Sequence, residues 1–250
     1  MARTPRWKVD KFENGVETIT LSSWKYFHDF LKDKNLLEKR TYIYRGQKDS
    51  LWQVQPSIHR GLKKGLSKLK YLDELKKHLD NFKYSIRGRV QGLKEILNDE
   101  NELWALGQHH GLSTPLLDFS TSPYVACYFA FQEKENNSKF RTIWMLASIA
   151  VEMEIDDQLE MYHPLSDITP RLISQDGLFV KFNVNKDLKS IIQTTKSEKK
   201  IFLYEVRIPD RDRHLCLKSL NRMNINHKTL FPDLLGASIY ANLHLEIDKY

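Results

Sequence analysis

Apolar positions along this chain follow a helical period in some stretches and a strand-like pattern in others. In the first 40 residues, large apolar side chains recur at helical spacing between Trp24 and Leu31, after two serines that can cap a helix. This pattern predicts a helix that ends near Glu38. The next segment, Thr41 to Arg45, is rich in β-branched and aromatic residues and is followed by Gly46. We therefore expect a short strand and a turn directly after Arg45.

A helical insertion is expected after this strand. Apolar residues recur with a helical period from Leu66 to Leu97, which predicts a long helix that is broken near Gly88 or Gly92. Its many lysines are most simply a solvated face. A second helix is expected from about Glu100 to His110, because the glycine that follows is a good helix terminator.

The segment QHHGLSTPLLDFSTSPYVACYFAF, from Gln108 to Phe131, places polar residues among apolar ones in an order that core packing does not require. A strand is expected from about Thr114 to Asp118. Ser122 followed by Pro123 predicts the start of a helix, because serine is a preferred N-cap and proline suits the first helical position. This helix should run to about Gln132.

The second half of the chain predicts a sheet assembled from strands that are distant in sequence. Three further strands and a terminal helix are expected at residues 142–148, 177–182, 201–208 and 232–247, with a polar loop at 194–200. No repeat or linker divides the chain, so we interpret residues 1–250 as a single α+β domain. It would consist of a helical N-terminal segment, residues 1–40, and a core, residues 41–250, with the helical insertion at 62–111.

Composition adds little to this picture. Lys and Arg number 39 against 32 Asp and Glu, and the net charge of +7 favours an anionic partner but also fits an ordinary basic protein. Cys127 and Cys216 lie among apolar residues without metal-ligand spacing, so both are expected to be reduced core residues. No signal sequence and no apolar stretch that could span a bilayer is found, so the expected compartment is the cytoplasm.

Arg45 is the first candidate for a functional site. A guanidinium offers a planar fork of donors that matches phosphate, and the neighbouring Gly46 would let a ligand approach the backbone. Tyr44 and Gln47 flank the same position. The residues alone equally allow an arginine that pairs with a structural carboxylate such as Asp118.

Ser120, Thr121 and Ser122 place three hydroxyl groups at a strand-to-helix junction. Exposed backbone N–H groups and the positive end of a helix favour an anion there, so a phosphate or a ribose is a credible ligand. Alternatively, Ser122 only caps the helix and the other two hydroxyls satisfy the backbone of the turn. The two roles can coexist.

His109 and His110 are adjacent and point in different directions on a helix, so the pair does not predict a metal site. One of them can enter the pocket as a donor or acid, and a helix-terminal histidine can equally stabilise the helix dipole. A hydrolase in which one of them activates a serine of the triplet is a further alternative. The chain contains no GxSxG, Walker-type or GxGxxG motif.

Four motifs, in order, resemble the FRG domain family. They are YRGQ at residues 44–47, WALGQHHGLSTPLLDFSTSPYVACYFAF at 104–131, RLISQDGLF at 171–179 and LFPDLLG at 230–236. The third motif contributes Arg171 and Gln175, which precede a predicted strand. The family is defined by its (F/Y)RG motif and was long functionally uncharacterised, so the resemblance implies a family but no function.

A more distant resemblance, to the R-S-E class of ADP-ribosyltransferases, does imply a function. The strand-end arginine, the STS triplet and the helix after it are similar to the first two signatures of that class. The resemblance implies a split β-sheet and NAD as the substrate, with Arg45 on its phosphate or ribose and Ser120 ordering the nicotinamide-ribose pocket. The glutamate motif of the third signature is missing. Gln175 occupies a plausible position and Glu205 is the second candidate, but a neutral amide cannot give the charge stabilisation of a carboxylate.

The sequence therefore predicts an ADP-ribosyltransferase-like enzyme that transfers ADP-ribose from NAD to a macromolecule or hydrolyses NAD. An intracellular bacterial toxin or phage-defence effector fits this resemblance. The catalytic candidates are Arg45, Ser120, Gln175 and Glu205, and Tyr44 or Tyr124 would stack on the nicotinamide. The ligand-binding candidates are Tyr44, Arg45, Gly46, Gln47, His109, His110, Asp118, Ser120, Thr121, Ser122, Tyr124 and Arg171. The alternative is a non-catalytic module that binds a nucleotide or a nucleic acid, and no metal is expected in either case.

Overall fold

A computed structural model describes residues 5–38, 41–89, 99–155, 157–164 and 174–250, and they form an α+β fold. The strands of the described residues make one sheet. They are β1 (Trp7–Glu13), β2 (Val16–Leu21), β3 (Tyr42–Gln47), β4 (Leu116–Ser120), β5 (Phe140–Ala147), β6 (Leu159–Tyr162), β7 (Gly177–Phe182) and β8 (Leu203–Pro209). Their order in the sheet is β1-β2-β8-β5-β3-β4-β7-β6, with only β2 and β8 parallel.

The α-helices found in the described ranges cover both faces of this sheet or connect its strands. They are α1 (Phe27–Asp33), α2 (Lys68–Ser85), α3 (Glu100–His109), α4 (Pro123–Phe131), α5 (Ser148–Met153), α6 (Leu188–Gln193), α7 (Arg213–Arg222), α8 (His227–Leu230) and α9 (Leu234–Glu246). Short 3-10 helices lie at Trp24–Tyr26, Ser57–Arg60 and Asp210–Asp212. α2 and α3 stand between β3 and β4 in the chain, as the predicted helical insertion required.

The sheet is nearly divided between β3 and β4. These strands share one residue pair, Tyr44 with Ser120, whereas β3 pairs with β5 along its whole length. β4 in turn pairs with β7 from Leu116 to Ser120. The two strands therefore diverge beyond Tyr44, and the edge of β3 from Arg45 to Gln47 faces an opening in the sheet instead of a neighbouring strand.

Helix α4 packs directly against β3, and this contact requires Gly46. A Cβ atom at Gly46 would lie 1.9 Å from the main-chain oxygen of Ala126 and 2.5 Å from the main-chain nitrogen of Ala130. These distances are far below van der Waals contact, so no larger residue fits. The prediction of a turn directly after Arg45 is wrong, because β3 continues to Gln47 and the glycine admits the backbone of α4.

Both ends of α4 are fixed by polar side chains. Ser122 caps the amino end by accepting a hydrogen bond from a main-chain N–H of the first turn, as the sequence predicted. At the carboxyl end, Arg141 is fully buried and donates to the main-chain oxygen of Ala130 over 2.7 Å. The buried Arg213 donates to the main-chain oxygen of Phe131 over 2.9 Å. Positive charge is favourable at this end of a helix, so α4 is held firmly beside the opening.

Several other predicted elements are confirmed with shifted boundaries, and a second prediction is wrong. The helical N-terminal segment is wrong for residues 7–21, which form a β1–β2 hairpin, and α1 ends at Asp33 instead of near Glu38. α2 ends at Ser85, and residues 90–98 of the predicted long helix lie outside the described residues. The division of the chain into a segment 1–40 and a core 41–250 stays a prediction.

Candidate functional site

A cleft of about 570 Å³ lies at the opening between β3 and β4. Its walls come from β3, β4, β7, α3 and α4, and from residues 48–56 after β3, which we call the rim loop. The candidates from the sequence that line the cleft are Tyr44, Arg45, Gly46, Gln47, His109, Asp118, Ser120 and Gln175. The fold thus brings together residues that are up to about 130 positions apart in the sequence.

Arg45 and Asp118 contact each other across the opening. Nη1 of Arg45 donates to the main-chain oxygen of Asp118 over 2.8 Å and lies 3.8 Å from its carboxylate oxygen Oδ2. The ion pair that the sequence allowed as an alternative is therefore present. No hydrogen bond from Nε or Nη2 of Arg45 to a described residue is found, so these donors remain available to a ligand.

Asp118 is held by a second side chain. Nε2 of Gln108, on α3, donates to Oδ1 of Asp118 over 2.8 Å, and Oε1 of Gln108 accepts from the hydroxyl of Thr114. The hydroxyl of Thr114 thereby fixes the orientation of the Gln108 amide. The Asp118 side chain is 60% exposed, so its carboxylate is oriented within the cleft and still accessible.

Positive charge accumulates beside Arg45. Arg60, at the end of the 3-10 helix Ser57–Arg60, is exposed and lines the same cleft. Burial lowers the pKa of Arg45, the Asp118 carboxylate opposes this change, and the charge of Arg60 lowers the pKa further. In the described part of the chain Arg60 has no ion pair or side-chain hydrogen bond. The charge of Arg60 therefore acts unfavourably on Arg45, and the carboxylate of Asp118 opposes this effect at Arg45.

The three hydroxyl groups of residues 120–122 form hydrogen bonds within the protein. The hydroxyl of Ser120 donates to the main-chain oxygen of Gln175 over 2.7 Å and accepts from the N–H of Ser122 over 3.0 Å. The hydroxyl of Thr121 donates to the carboxylate of Asp176, and its N–H donates to the main-chain oxygen of the same residue. These contacts match the alternative in which the hydroxyls satisfy the turn. Of the three residues, only Ser120 lines the cleft.

The two candidates for the missing glutamate lie in different places. Gln175 lines the cleft, and its Nε2 donates to the main-chain oxygen of Leu230 over 3.1 Å. Glu205 is 2% exposed and accepts from Lys189 over 2.7 Å and from Nε of Arg207 over 2.7 Å. It does not line the cleft, so the structure does not bring it together with the other candidates.

Trp144 lies between Glu205 and Arg45 in the sheet. Arg45 pairs with Trp144 on β5, and Trp144 pairs with Glu205 on β8, so the three residues form one row across the sheet. Residues directly opposite each other point to the same face. The Trp144 side chain therefore stands between the arginine and the glutamate.

Neither tyrosine predicted to stack on the nicotinamide presents its ring to the cleft. Tyr44 is 3% exposed, belongs to the core, and donates from its hydroxyl to the main-chain oxygen of Leu36. The Tyr124 hydroxyl hydrogen-bonds Nδ1 of His28 over 2.6 Å, and its ring packs edge-on against Phe27, outside the cleft. These rings serve packing instead.

Of the two histidines predicted to bind a ligand, one lines the cleft and the other does not. His109 lines the cleft, whereas His110 is the exposed residue that follows α3 and does not. Their rings meet edge to face with centroids 5.0 Å apart. Arg171 lies outside the described residues.

Sequence reasoning missed several residues that line the cleft. Lys48 forms an ion pair with Glu133, and Trp52 and Arg60 enter from the rim loop and the 3-10 helix after it.

Amide side chains are frequent as well. The cleft is lined by Gln47, Gln53, Gln55, Gln108, Gln132 and Gln175, which are six of the nine glutamines in the chain. Their spacing in the sequence carries no periodic signal that could have grouped them.

Within the described ranges, no three His, Cys, Asp or Glu side chains are grouped so that they could hold a metal ion. Among the helices described, none has the length and apolar character needed to cross a membrane.

Comparison with known proteins gives one match. Residues 40–139 match the family model of the FRG domain, which confirms the resemblance to that family over this part of the chain. The match includes β3, the helical insertion, β4 and α4, and therefore most of the cleft. The later motifs at 171–179 and 230–236 lie beyond it. No curated protein and no solved structure matches the chain.

Proposed function

We propose that the cleft binds NAD or a related nucleotide and that the chain is an ADP-ribosyltransferase-like enzyme, which transfers ADP-ribose to a macromolecule or hydrolyses NAD. The observation that carries this proposal is the pair of guanidinium groups, Arg45 and Arg60, that line the same cleft, where the charge of Arg60 acts on Arg45. A bound phosphate would relieve their repulsion and accept several charge-assisted hydrogen bonds. A bacterial toxin or phage-defence effector remains the biological role that such an activity would fit.

The chemistry requires a carboxylate close to the ribose. When the bond between nicotinamide and ribose breaks, its electron pair leaves with nicotinamide and positive charge develops on the ribose. Water or a nucleophile of the macromolecule then forms the new bond to that carbon and loses its proton to solvent. A fixed negative charge stabilises such a transition state. We propose Asp118 for this role, because it lines the cleft and is oriented by Gln108 and Arg45.

A non-catalytic nucleotide-binding module is the second candidate. It is favoured by the contacts of the two carboxylates that line the described cleft. Asp118 is engaged by Gln108 and Arg45, and Glu133 by Lys48. In this module the same contacts would hold both carboxylates away from the ribose, and the ligand would be retained intact.

The experiment uses NAD labelled in the adenylate phosphate, incubated with the purified protein, cell extract and nucleic acid. Nicotinamide release and transfer of label to macromolecules are both followed. Asp118→Asn keeps the shape of the side chain and removes its charge, and Arg222→Ala, an exposed arginine outside the cleft, is the matched control.

Nicotinamide release by the wild type and by Arg222→Ala, together with its loss in Asp118→Asn, supports the enzyme. Release that is unchanged in Asp118→Asn overturns the role of Asp118. Absence of both release and transfer, with NAD bound intact, supports the binding module instead.

A further inference from the structure

Among the described tryptophan, tyrosine and phenylalanine residues that line the cleft, Trp52 is the most exposed. It is 51% exposed, whereas Phe119 and Phe179, which also line the cleft, are 3% and 5% exposed. Phe129 and Phe231 are partly buried and pack edge to face on each other with ring centroids 6.0 Å apart. A tryptophan left half in water at the mouth of a cleft contributes little to the core. Its ring is therefore available to a ligand.

The backbone that carries Trp52 is held by hydrogen bonds. Oε1 of Gln47 accepts from Nε1 of Trp144 over 2.8 Å, and Nε2 of the same amide donates to the main-chain oxygen of Trp52 over 3.1 Å. The carboxylate of the buried Asp49 accepts from the N–H of Leu51 over 2.8 Å. The rim loop is thus anchored to the sheet immediately before the exposed ring.

The surroundings of the ring suit a polar heteroaromatic group. Nζ of Lys48 lies 5.4 Å from the centre of the Trp52 ring. Gln53 and Gln55 follow along the loop and line the cleft, where their amides can both donate to and accept from the edge of a base. Base–aromatic stacking accepts any base, because every base has a π-face.

We propose that Trp52 is the surface on which the base of the bound nucleotide stacks, while Arg45 and Arg60 hold its phosphates. This inference rests on the proposed function and replaces the two tyrosines with a residue that the sequence did not single out. Gln47 is then a positioning residue, because both ends of its amide are engaged in orienting the loop.

The experiment is a calorimetric titration of the wild type, Trp52→Ala and Trp52→Phe with NAD, ADP and inorganic pyrophosphate. Leu51→Ala is the matched control, since Leu51 is 78% exposed in the same loop and does not line the cleft. Thermal unfolding of each variant checks that the fold is unchanged.

In Trp52→Ala we expect binding of NAD and ADP to weaken by about 5- to 150-fold, the range that corresponds to one lost base–aromatic stack. Pyrophosphate affinity should be unchanged, Trp52→Phe should keep most of the nucleotide affinity, and Leu51→Ala should match the wild type. Nucleotide binding that is equal in Trp52→Ala and the wild type overturns the role of Trp52 and leaves the proposed function standing. A wild type that binds neither NAD nor ADP overturns both.

Discussion

The guanidinium of Arg45 donates across the opening in the sheet to the main-chain oxygen of Asp118, 2.8 Å away. This contact lies where β3 and β4 have stopped pairing, so a side chain bridges two strands that the backbone no longer joins. The same two residues line the cleft. Arg45 therefore joins β3 to β4 where their pairing has ended, and it also lines the cleft that forms there.

Arg45→Ala should lower both stability and ligand binding. It removes a charge-assisted hydrogen bond between the two halves of the sheet, and we expect the free energy of unfolding to fall by about 1–2 kcal/mol. Urea denaturation of the variant and of Arg222→Ala measures this effect. Equal stability of the two variants would show that the contact with Asp118 contributes nothing to the fold.

Gly46→Ala should be among the most damaging small substitutions in the chain. The added methyl group meets the backbone of α4 at Ala126, which cannot move without displacing the whole helix. We expect a loss of about 3 kcal/mol or more, at or beyond the upper end of overpacking costs. Gly61→Ala is the control, because its nearest neighbour would be 3.8 Å away. Similar urea midpoints for the two variants would contradict the packing role of Gly46.

Glu205→Gln should affect stability and leave nucleotide binding intact. The carboxylate is buried between Lys189 and Arg207, outside the cleft, so the variant leaves two cations without their partner. A loss of about 2 kcal/mol is expected for hydrogen bonds to a charged group. Denaturation, NAD titration and nicotinamide release are measured in parallel. Loss of NAD turnover at full stability would restore Glu205 as the catalytic glutamate.

His59 makes stability depend on pH. Burial lowers the pKa of His59 to about 4, while Asp187 opposes this change, and the nitrogen Nδ1 is buried without a partner among the described residues. An unfolded histidine titrates near pH 6.5, so the unfolded state binds the additional proton between about pH 6.5 and pH 4. Stability is full above this window and is lost progressively as the pH falls through it.

Comparison of the wild type with His59→Gln at pH 7 and pH 5 tests this sign. The wild type should lose about 2 kcal/mol more than the variant over this interval. A variant with the same pH dependence as the wild type would show that another group is responsible.

Helix and strand boundaries were predicted most accurately where neighbouring residues alone carry the signal. Ser122 and Pro123 gave the start of α4 correctly, because capping and a pre-set φ depend on neighbouring residues alone. The β1–β2 hairpin was missed although its signal is present. Asn14 and Gly15 form the two-residue turn with φ of 46° and 84°, which is the conformation that Asn-Gly favours.

The residues that line the cleft could be predicted only in part, because some of them reach it through tertiary contacts. Arg45, Asp118 and Ser120 lie in dense local motifs, whereas Arg60 and Trp52 reach the cleft through a loop whose path depends on tertiary contacts. The Gln47 amide sets that path by bonding Trp144, about 100 residues away. No local pattern of apolar and polar residues records such a contact.

The most direct test of the central claim is a calorimetric titration of NAD into the wild type, Arg60→Ala and Arg222→Ala. Arg60 is exposed and outside the core, so its loss should not disturb the fold. We predict that the wild type and Arg222→Ala bind alike and that Arg60→Ala binds at least about tenfold more weakly, as expected for one lost charge-assisted contact to phosphate. Absence of binding to the wild type, or equal binding by all three proteins, would contradict a nucleotide site at the opening between β3 and β4.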